Sequence, residues 1–294
     1  MKSKIPTIEL RDGQKMPLLA FGTGTAWYKD DGKGPFNKEL KNMLKHALDT
    51  GIRHIDAAEA YGTEEEIGVA IRESGVDRQE LFVTTKVQQG ISDIPRAFEE
   101  SLAKLQLDYV DLYMIHWPYF AEEDAELQRA WNALEAIYKQ GRAKAIGVAN
   151  YLRPHIEATL KTATIVPMVN QIEHHPYLQR ANDYVPWLQS QGIRMEAFSP
   201  LTPITEAQDG PLSSHLMKIA AKHNVSTGAV LLRWQIQKDI VAITTTTKKE
   251  RLEDYMKVGS FALTAEEMKL ITEVGLTYHY RSWGVKRFAP DDRT

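Results

Sequence analysis

Short runs rich in β-branched and aromatic residues alternate with longer stretches whose apolar residues recur every three to four positions, through most of the chain. The runs lie at 18–22, 53–56, 81–86, 109–116, 143–148, 166–171, 194–198 and 240–244. Helical patterns lie at 37–50, 64–73, 93–106, 125–140, 154–161, 183–191, 212–223 and 249–255. Strands that alternate with helices build a parallel sheet, and eight such units predict an α/β fold, a closed (β/α)8 TIM barrel. Two additions are expected. Residues 5–10 and 15–18 flank Asp12-Gly13, a strong turn pair, and predict an N-terminal β-hairpin that caps the barrel's N-terminal end. Residues 226–237 predict an extra helix between the seventh and eighth strands, with Ser226 or Thr227 as its N-cap. A last helix should run from Thr264 to 274, before an aromatic, turn-rich tail through Trp283 and Phe288 that forms a C-terminal loop over the active site.

Barrels of this type reach about 250 residues before insertions, so a length of 294 predicts one domain over 1–294. A content of 43% hydrophobic and 26% charged residues supplies both a barrel interior and a helical outer ring. The net charge is −3 with Lys and Arg scattered, which gives no footprint for nucleic acid or a membrane surface. A small-molecule partner and a monomeric protein are therefore expected. There is no cysteine, hence no disulfide and no thiolate metal site. Residues 1–11 have no apolar core of signal-peptide length, and no stretch approaches the roughly 20 apolar residues of a membrane span. The expected location is cytoplasmic.

Side chains at the C-terminal ends of barrel strands converge on one face, however far apart they are in sequence. The predicted strands end at or near Asp56, Lys86, His116, Asn150 and Gln171, and Tyr61 follows Asp56 on the same loop. A phenol has an unperturbed pKa of about 10, and a nearby ammonium favours its ionised form. Lys86 is thus expected to strengthen Tyr61 as an acid, with Asp56 as its counter-ion. A neutral His116 would orient a carbonyl oxygen toward the Tyr61 hydroxyl. Taken singly, a strand-end Asp or Lys is ordinarily a loop-anchoring ion pair and a His before Trp-Pro a core residue. Four complementary groups at the ends of three successive strands point instead to catalysis.

The runs Asp56-Ala57-Ala58-Glu59-Ala60-Tyr61-Gly62, His116-Trp117-Pro118, Gly147-Val148-Ala149-Asn150-Tyr151 and Asn170-Gln171-Ile172-Glu173-His174-His175-Pro176, with Lys86 closing its strand, carry a resemblance. In this order, over nearly the whole chain, they resemble the aldo-keto reductase superfamily. The resemblance implies a (β/α)8 barrel that binds an extended nicotinamide dinucleotide without a Rossmann fold. The family's catalytic Asp, Tyr, Lys and His fall on Asp56, Tyr61, Lys86 and His116.

Gly22-Thr23-Gly24-Thr25 begins like a dinucleotide fingerprint, but its third glycine would fall at Trp27 and no long helix follows. The resemblance instead sets Gly24, Thr25 and Ala26 against the nicotinamide and its ribose, where small residues permit close approach. Asn150 and Gln171 match the amide pair that holds the carboxamide, an amide being able to satisfy both halves of another. Asp56 is also a candidate cofactor contact, and Ala149 stands where relatives commonly have Ser. Phe198 replaces a Tyr beneath the ring, and Ser199 and Leu201 would follow the pyrophosphate. After the eighth strand relatives commonly carry Lys-Ser, four residues and Arg; here Thr245 and Thr246 take the first two places and Arg251 the last. Hydroxyls of Thr245, Thr246 and Thr247, with Lys248, Lys249 and Arg251, would bind a 2′-phosphate. Asp254 stands at the place of an adenine-contacting acid. The resemblance implies NADPH in preference to NADH, and the Thr-rich variant is similar to fungal NADPH-dependent carbonyl reductases, including conjugated polyketone reductases.

Trp27, Trp117, Tyr119, Phe120 and Trp283 are the candidates for an aromatic wall around the substrate. No cluster of Arg or Lys in sequence points to a sugar phosphate, so aldehydes, activated ketones, dicarbonyls and keto-lactones are the expected substrates, reduced to alcohols. Glu173-His174-His175 invites a metal, but adjacent side chains on an extended segment point oppositely, and no metal is expected. Two other readings remain open: a cofactor-sensing regulatory subunit without turnover, and an isomerase or aldolase that uses Lys86 in a Schiff base.

Overall fold

A computed structural model of the chain describes residues 5–294; residues 1–4, part of the 1–11 segment weighed above as a signal sequence, lie outside the described residues. The first elements are β1 (Thr7–Glu9) and β2 (Lys15–Pro17), an antiparallel hairpin. Asp12 Oδ1 accepts from the Gln14 backbone N–H in its turn, and Gly13 takes a φ of +87°. Arg194 Nε donates to the Glu9 carbonyl and Gln14 Nε2 to Asp111 Oδ1, both near strand starts, which puts the hairpin at the barrel's N-terminal end.

Eight parallel strands follow: β3 (Leu19–Gly22), β4 (His54–Asp56), β5 (Phe82–Val87), β6 (Val110–Ile115), β7 (Ala143–Ala149), β8 (Val169–Glu173), β9 (Arg194–Phe198) and β10 (Ile240–Thr244). They pair in sequence order, and β10 closes the barrel on β3. Strands such as β5 and β6 are buried at every position, as a sheet covered on both faces requires. The cover comes from α1 (Lys38–Thr50), α2 (Glu64–Ser74), α3 (Ile94–Leu105), α4 (Asp124–Lys139), α5 (Arg153–Leu160), α6 (Tyr184–Ser190), α7 (Thr202–Thr205), α8 (Ser213–His223), α9 (Thr227–Ile236), α10 (Lys249–Tyr255) and α11 (Ala265–Leu276). Among the described residues, no helix is long and apolar enough to cross a membrane.

Local chemistry sets the helix ends. Asn37 caps α1 by accepting from the N–H groups of Glu39 and Leu40, and Ser226 caps α9 through Ala229. Thr264 and Glu267 form a reciprocal capping box on α11. The strand expected at 166–171 begins instead at Val169, because Pro167 has no N–H to give to a ladder. The short α7, with Pro203 in its first turn, is an element that the periodicity does not reveal.

Candidate active site

The parallel register sets Asp56 beside Thr84, and the two-residue pleat then carries Lys86 one step above it on the same interior face. Lys86 is wholly buried, and its Nζ lies 2.8 Å from both Asp56 oxygens, 2.8 Å from the Ala57 carbonyl and 3.3 Å from the Tyr61 hydroxyl. Tyr61 ends a 3-10 turn, Glu59–Tyr61, that stops at Gly62, whose φ of +67° favours glycine. The turn aims the phenol back over the strand ends. His116, just past β6, brings its Nε2 to 3.4 Å from the same hydroxyl. The four predicted catalytic residues are therefore in one place.

Electrostatics departs from expectation at Tyr61. Burial raises its pKa above the ordinary value of 10, and this outweighs the opposing pull of Lys86. The ammonium was expected to dominate; desolvation of a phenolate is the larger effect in a closed barrel mouth. Burial alone would lower Lys86, but the charges of Asp56 and Tyr61 hold it above its ordinary range. A lysine that stays charged and donates to Asp56, Ala57 and Tyr61 is not a free amine, which argues against a Schiff base. Burial, then the Lys86 charge, keep His116 neutral, well below the usual imidazole range.

A cleft of about 590 Å³ opens above these groups. Its floor and walls include the expected Gly24, Thr25, Asp56, Asn150, Gln171, Phe198, Ser199 and Thr245, with Trp117 and Trp283 at one side. A Cβ on Gly24 would come within 3.1 Å of the Tyr61 ring, so a side chain there would press on the phenol by a few tenths of an ångström. Asn150 and Ser199 follow their strands with φ of +60° and +53°, a costly conformation away from glycine that recurs at ligand sites. Both halves of an amide were expected at each of Asn150 and Gln171. Instead Gln171 Nε2 is spent on Asp56 Oδ1 (2.9 Å) and Glu196 Oε2 (2.8 Å), and Asn150 Nδ2 donates to the His116 carbonyl (2.9 Å). Gln171 thus offers its carbonyl oxygen alone.

A groove of about 350 Å³ lies further out, bordered by Leu201, Thr205, Ser226, Arg251, Asp254 and Tyr255. The Thr245 hydroxyl and Asp254 Oδ2 are buried with no hydrogen-bond partner among the described residues, as fits polar groups awaiting a ligand. Thr246 behaves otherwise, since its Oγ1 accepts from the Lys248 backbone N–H at 3.0 Å and is used up within the turn. Thr247 and Lys248 are exposed and border neither cavity. Ala149 is buried in β7, and Ala26 edges a separate cleft with Trp27 and Phe36.

The aromatic wall is smaller than expected. Trp117 and Trp283 form the wall, and Tyr119, which does not border the cleft, backs them by stacking on Trp283 at 6.2 Å and meeting Trp117 edge-on. Trp27 is buried in the core and Phe120 packs against it, neither bordering the main cleft. Tyr28, one residue further along the loop, takes the expected place of Trp27 and stands edge-on to Tyr61 at 6.3 Å. An outer cavity of about 580 Å³ shares Trp117 and Trp283 and is bordered by Lys286 and Arg287, a pair of cations to which sequence proximity gave no weight.

His174 Nδ1 pairs with Gln235 Oε1 at 2.8 Å, whereas His175 Nε2 lies 3.1 Å from Glu173 Oε1. Glu173 has a role that sequence reasoning missed: its oxygens accept from the consecutive backbone N–H groups of Ser282 (2.6 Å) and Trp283 (3.0 Å). It thereby ties the tail to the end of β8. The buried Glu196 and His54 were also overlooked, though a carboxyl inside an otherwise apolar run and a His inside a predicted strand were visible signals.

The chain is similar to known proteins along nearly its whole length. The family model described as the Aldo/keto reductase family matches residues 19–275. The NAD/NADP-dependent indole-3-acetaldehyde reductase of Schizosaccharomyces pombe is 40% identical over 273 residues, covering 92% of this chain and 96% of its own. The glyoxal reductase of Bacillus subtilis is 41% identical over 272 residues, covering 90% of this chain and 91% of its own. A crystal structure of an aldo-keto reductase complexed with NADPH matches with a TM-score of 0.84 at 29% identity, over 95% of this chain and 90% of that one. With the tetrad assembled at the mouth of an eight-stranded barrel and these relatives spanning nearly its full length, the chain belongs to the aldo/keto reductase family.

Proposed function

We propose that this protein reduces small aldehydes and activated ketones, dicarbonyls and keto-lactones included, to alcohols with NADPH, and that Tyr61 is the proton donor. The observation that carries this reading is the Tyr61 hydroxyl held between Lys86 Nζ and His116 Nε2 on the floor of the main cleft. NADPH, when bound, supplies a hydride to the carbonyl carbon. Tyr61 then gives its proton to the carbonyl oxygen as the electron pair of the broken π bond settles there. Its raised pKa keeps it protonated, and a phenol remains a far stronger acid than the alcohol formed. Lys86 stays charged and stabilises the phenolate left behind, while neutral His116 orients the carbonyl oxygen.

Gly24, Thr25, Asn150, the Gln171 carbonyl, Phe198 and Ser199 would hold the nicotinamide half of the cofactor, and Leu201, Thr245, Arg251 and Asp254 the adenosine half. Thr245 in place of a lysine removes one charge from the 2′-phosphate site, so NADH should be accepted as a weaker substitute. The fission-yeast relative, named for use of both cofactors, is consistent with this. Trp117 and Trp283 suit an aromatic or apolar substrate, and an acidic group at its far end would face Lys286 and Arg287. We place the protein in the cytoplasm as a monomer.

The test is loss of NADPH absorbance with a panel holding an aromatic aldehyde, a dicarbonyl and a keto acid. Turnover with stoichiometric alcohol is expected. Cofactor binding without consumption by any member would favour a sensing subunit.

A further inference from the structure

Glu196, in β9, is a second carboxyl group beneath the tetrad that the reaction above does not use, and it is fully buried. Strand register sets it beside Gln171, whose Nε2 bridges its Oε2 and Asp56 Oδ1. An amide nitrogen carries two hydrogens, so two carboxyl oxygens below fix the amide with its carbonyl oxygen toward the cleft. Glu196 Oε1 has no hydrogen-bond partner among the described residues, and His54 Nε2 stands 3.6 Å away. His54 Nδ1 faces the Pro17 carbonyl at 3.1 Å, an acceptor, so Nδ1 bears the ring proton and Nε2 a lone pair. That lone pair receives the Thr84 hydroxyl at 3.2 Å, so the ring turns neither a hydrogen nor a charge toward Glu196 Oε1.

The titratable or charged groups facing Glu196 are His54 and Asp56 from β4 and Lys86 from β5, with Tyr61 beyond. Its ladder neighbours on β8 and β10, Gln171 and Val241, do not titrate. Two carboxyl groups against one ammonium in a closed interior leave an excess charge, which is expensive. One proton on Glu196 removes it, and Oε1, which receives no hydrogen bond from any described residue, then bears no charge. Burial and then the Asp56 charge push the Glu196 carboxyl up to about 8, and burial pulls His54 down to about 4, which is the same proton placement.

We propose that Glu196 is a positioning residue that carries a proton at neutral pH, and so both fixes the Gln171 amide and leaves Asp56 as the one carboxylate that opposes Lys86 in its action on Tyr61. This rests on the proposed reduction. When Glu196 ionises, its charge works against Lys86 and raises Tyr61 further, which weakens the proton donor. Glutamine is the uncharged isostere: its oxygen would accept from Gln171 and its amide nitrogen would take the place of Oε1 without a charge.

The experiment compares kcat/KM for NADPH-dependent reduction across pH in wild type and Glu196→Gln. Wild type should lose activity with a midpoint near about 8, whereas the variant should hold its plateau through that range, within about twofold of wild type at neutral pH. Superimposable profiles would overturn the proposal. Carboxyl-labelled glutamate NMR on the wild type gives a reading that needs neither cofactor nor variant. A glutamate that titrates near about 8, and persists in Glu64→Gln, supports the proposal even if Glu196→Gln does not fold, and its absence overturns it. If no carbonyl compound consumes NADPH, the proposed function fails, yet the NMR titration still reads the proton on Glu196.

Discussion

Lys86 makes its hydrogen bonds inside the protein, to Asp56, the Ala57 carbonyl and the Tyr61 hydroxyl. This tells where its charge acts. In the resting molecule burial still holds the phenol above its ordinary pKa, so in the proposed reaction Lys86 chiefly stabilises the phenolate once the proton has left. Arg251 poses a simpler question of one charge. It borders the outer groove with Asp254, and no lysine stands at position 245 to share a 2′-phosphate. A hydrogen bond to a charged group is worth about 1.5–3 kcal/mol. Arg251→Ala should therefore raise the KM for NADPH by roughly 10- to 100-fold and leave that for NADH nearly unchanged. Equal rises for both cofactors would mean that Arg251 does not touch the 2′-phosphate.

At the scale of elements, the site is a set of strand ends plus one tail. The strand ends were legible in the sequence, because Asp56, Lys86 and His116 close or nearly close runs whose pattern already marks them as strands. The loop after β3 was not, since no periodicity tells whether Trp27 or Tyr28 turns inward, and the structure chooses Tyr28. The grip on the tail was equally hidden, because Glu173 and Trp283 are brought together only by the fold. Two carboxylate oxygens on consecutive N–H groups hold Trp283 where it meets Trp117, Tyr119 and Phe198. Glu173→Gln keeps one acceptor and sets an amide against the other N–H. We expect the variant to raise substrate KM several-fold, with cofactor affinity retained and faster proteolysis after residue 281. Unaltered KM and proteolysis would show that the tail holds itself.

At the scale of the molecule, eight periodic units predict barrel closure, but not what lies across the interior. His54, Gln171 and Glu196 meet because β9 lies beside β8 and barrel closure brings β4 across the interior from it, a relation that no local pattern encodes. Burial also ties stability to pH. His174, stacked on Trp234 and bonded to Gln235, is kept neutral by burial and then by the Lys238 charge, well below the ordinary imidazole range. Below about 6.5 the unfolded chain binds a proton there that the folded chain refuses. Its contribution to stability is thus present above that pH and lost as pH falls. In urea titrations, the stability advantage of wild type over His174→Gln should shrink by about 1.4 kcal/mol per pH unit below 6.5; a constant difference would contradict a neutral buried imidazole. The barrel's joint product is one phenol at the floor of the main cleft, proposed above as the proton donor, and Tyr61→Phe tests it most directly. Fluorescence titration should show NADPH bound as in wild type, while kcat for carbonyl reduction falls by about 100-fold or more. A phenylalanine variant that turns over at the wild-type rate would contradict the account.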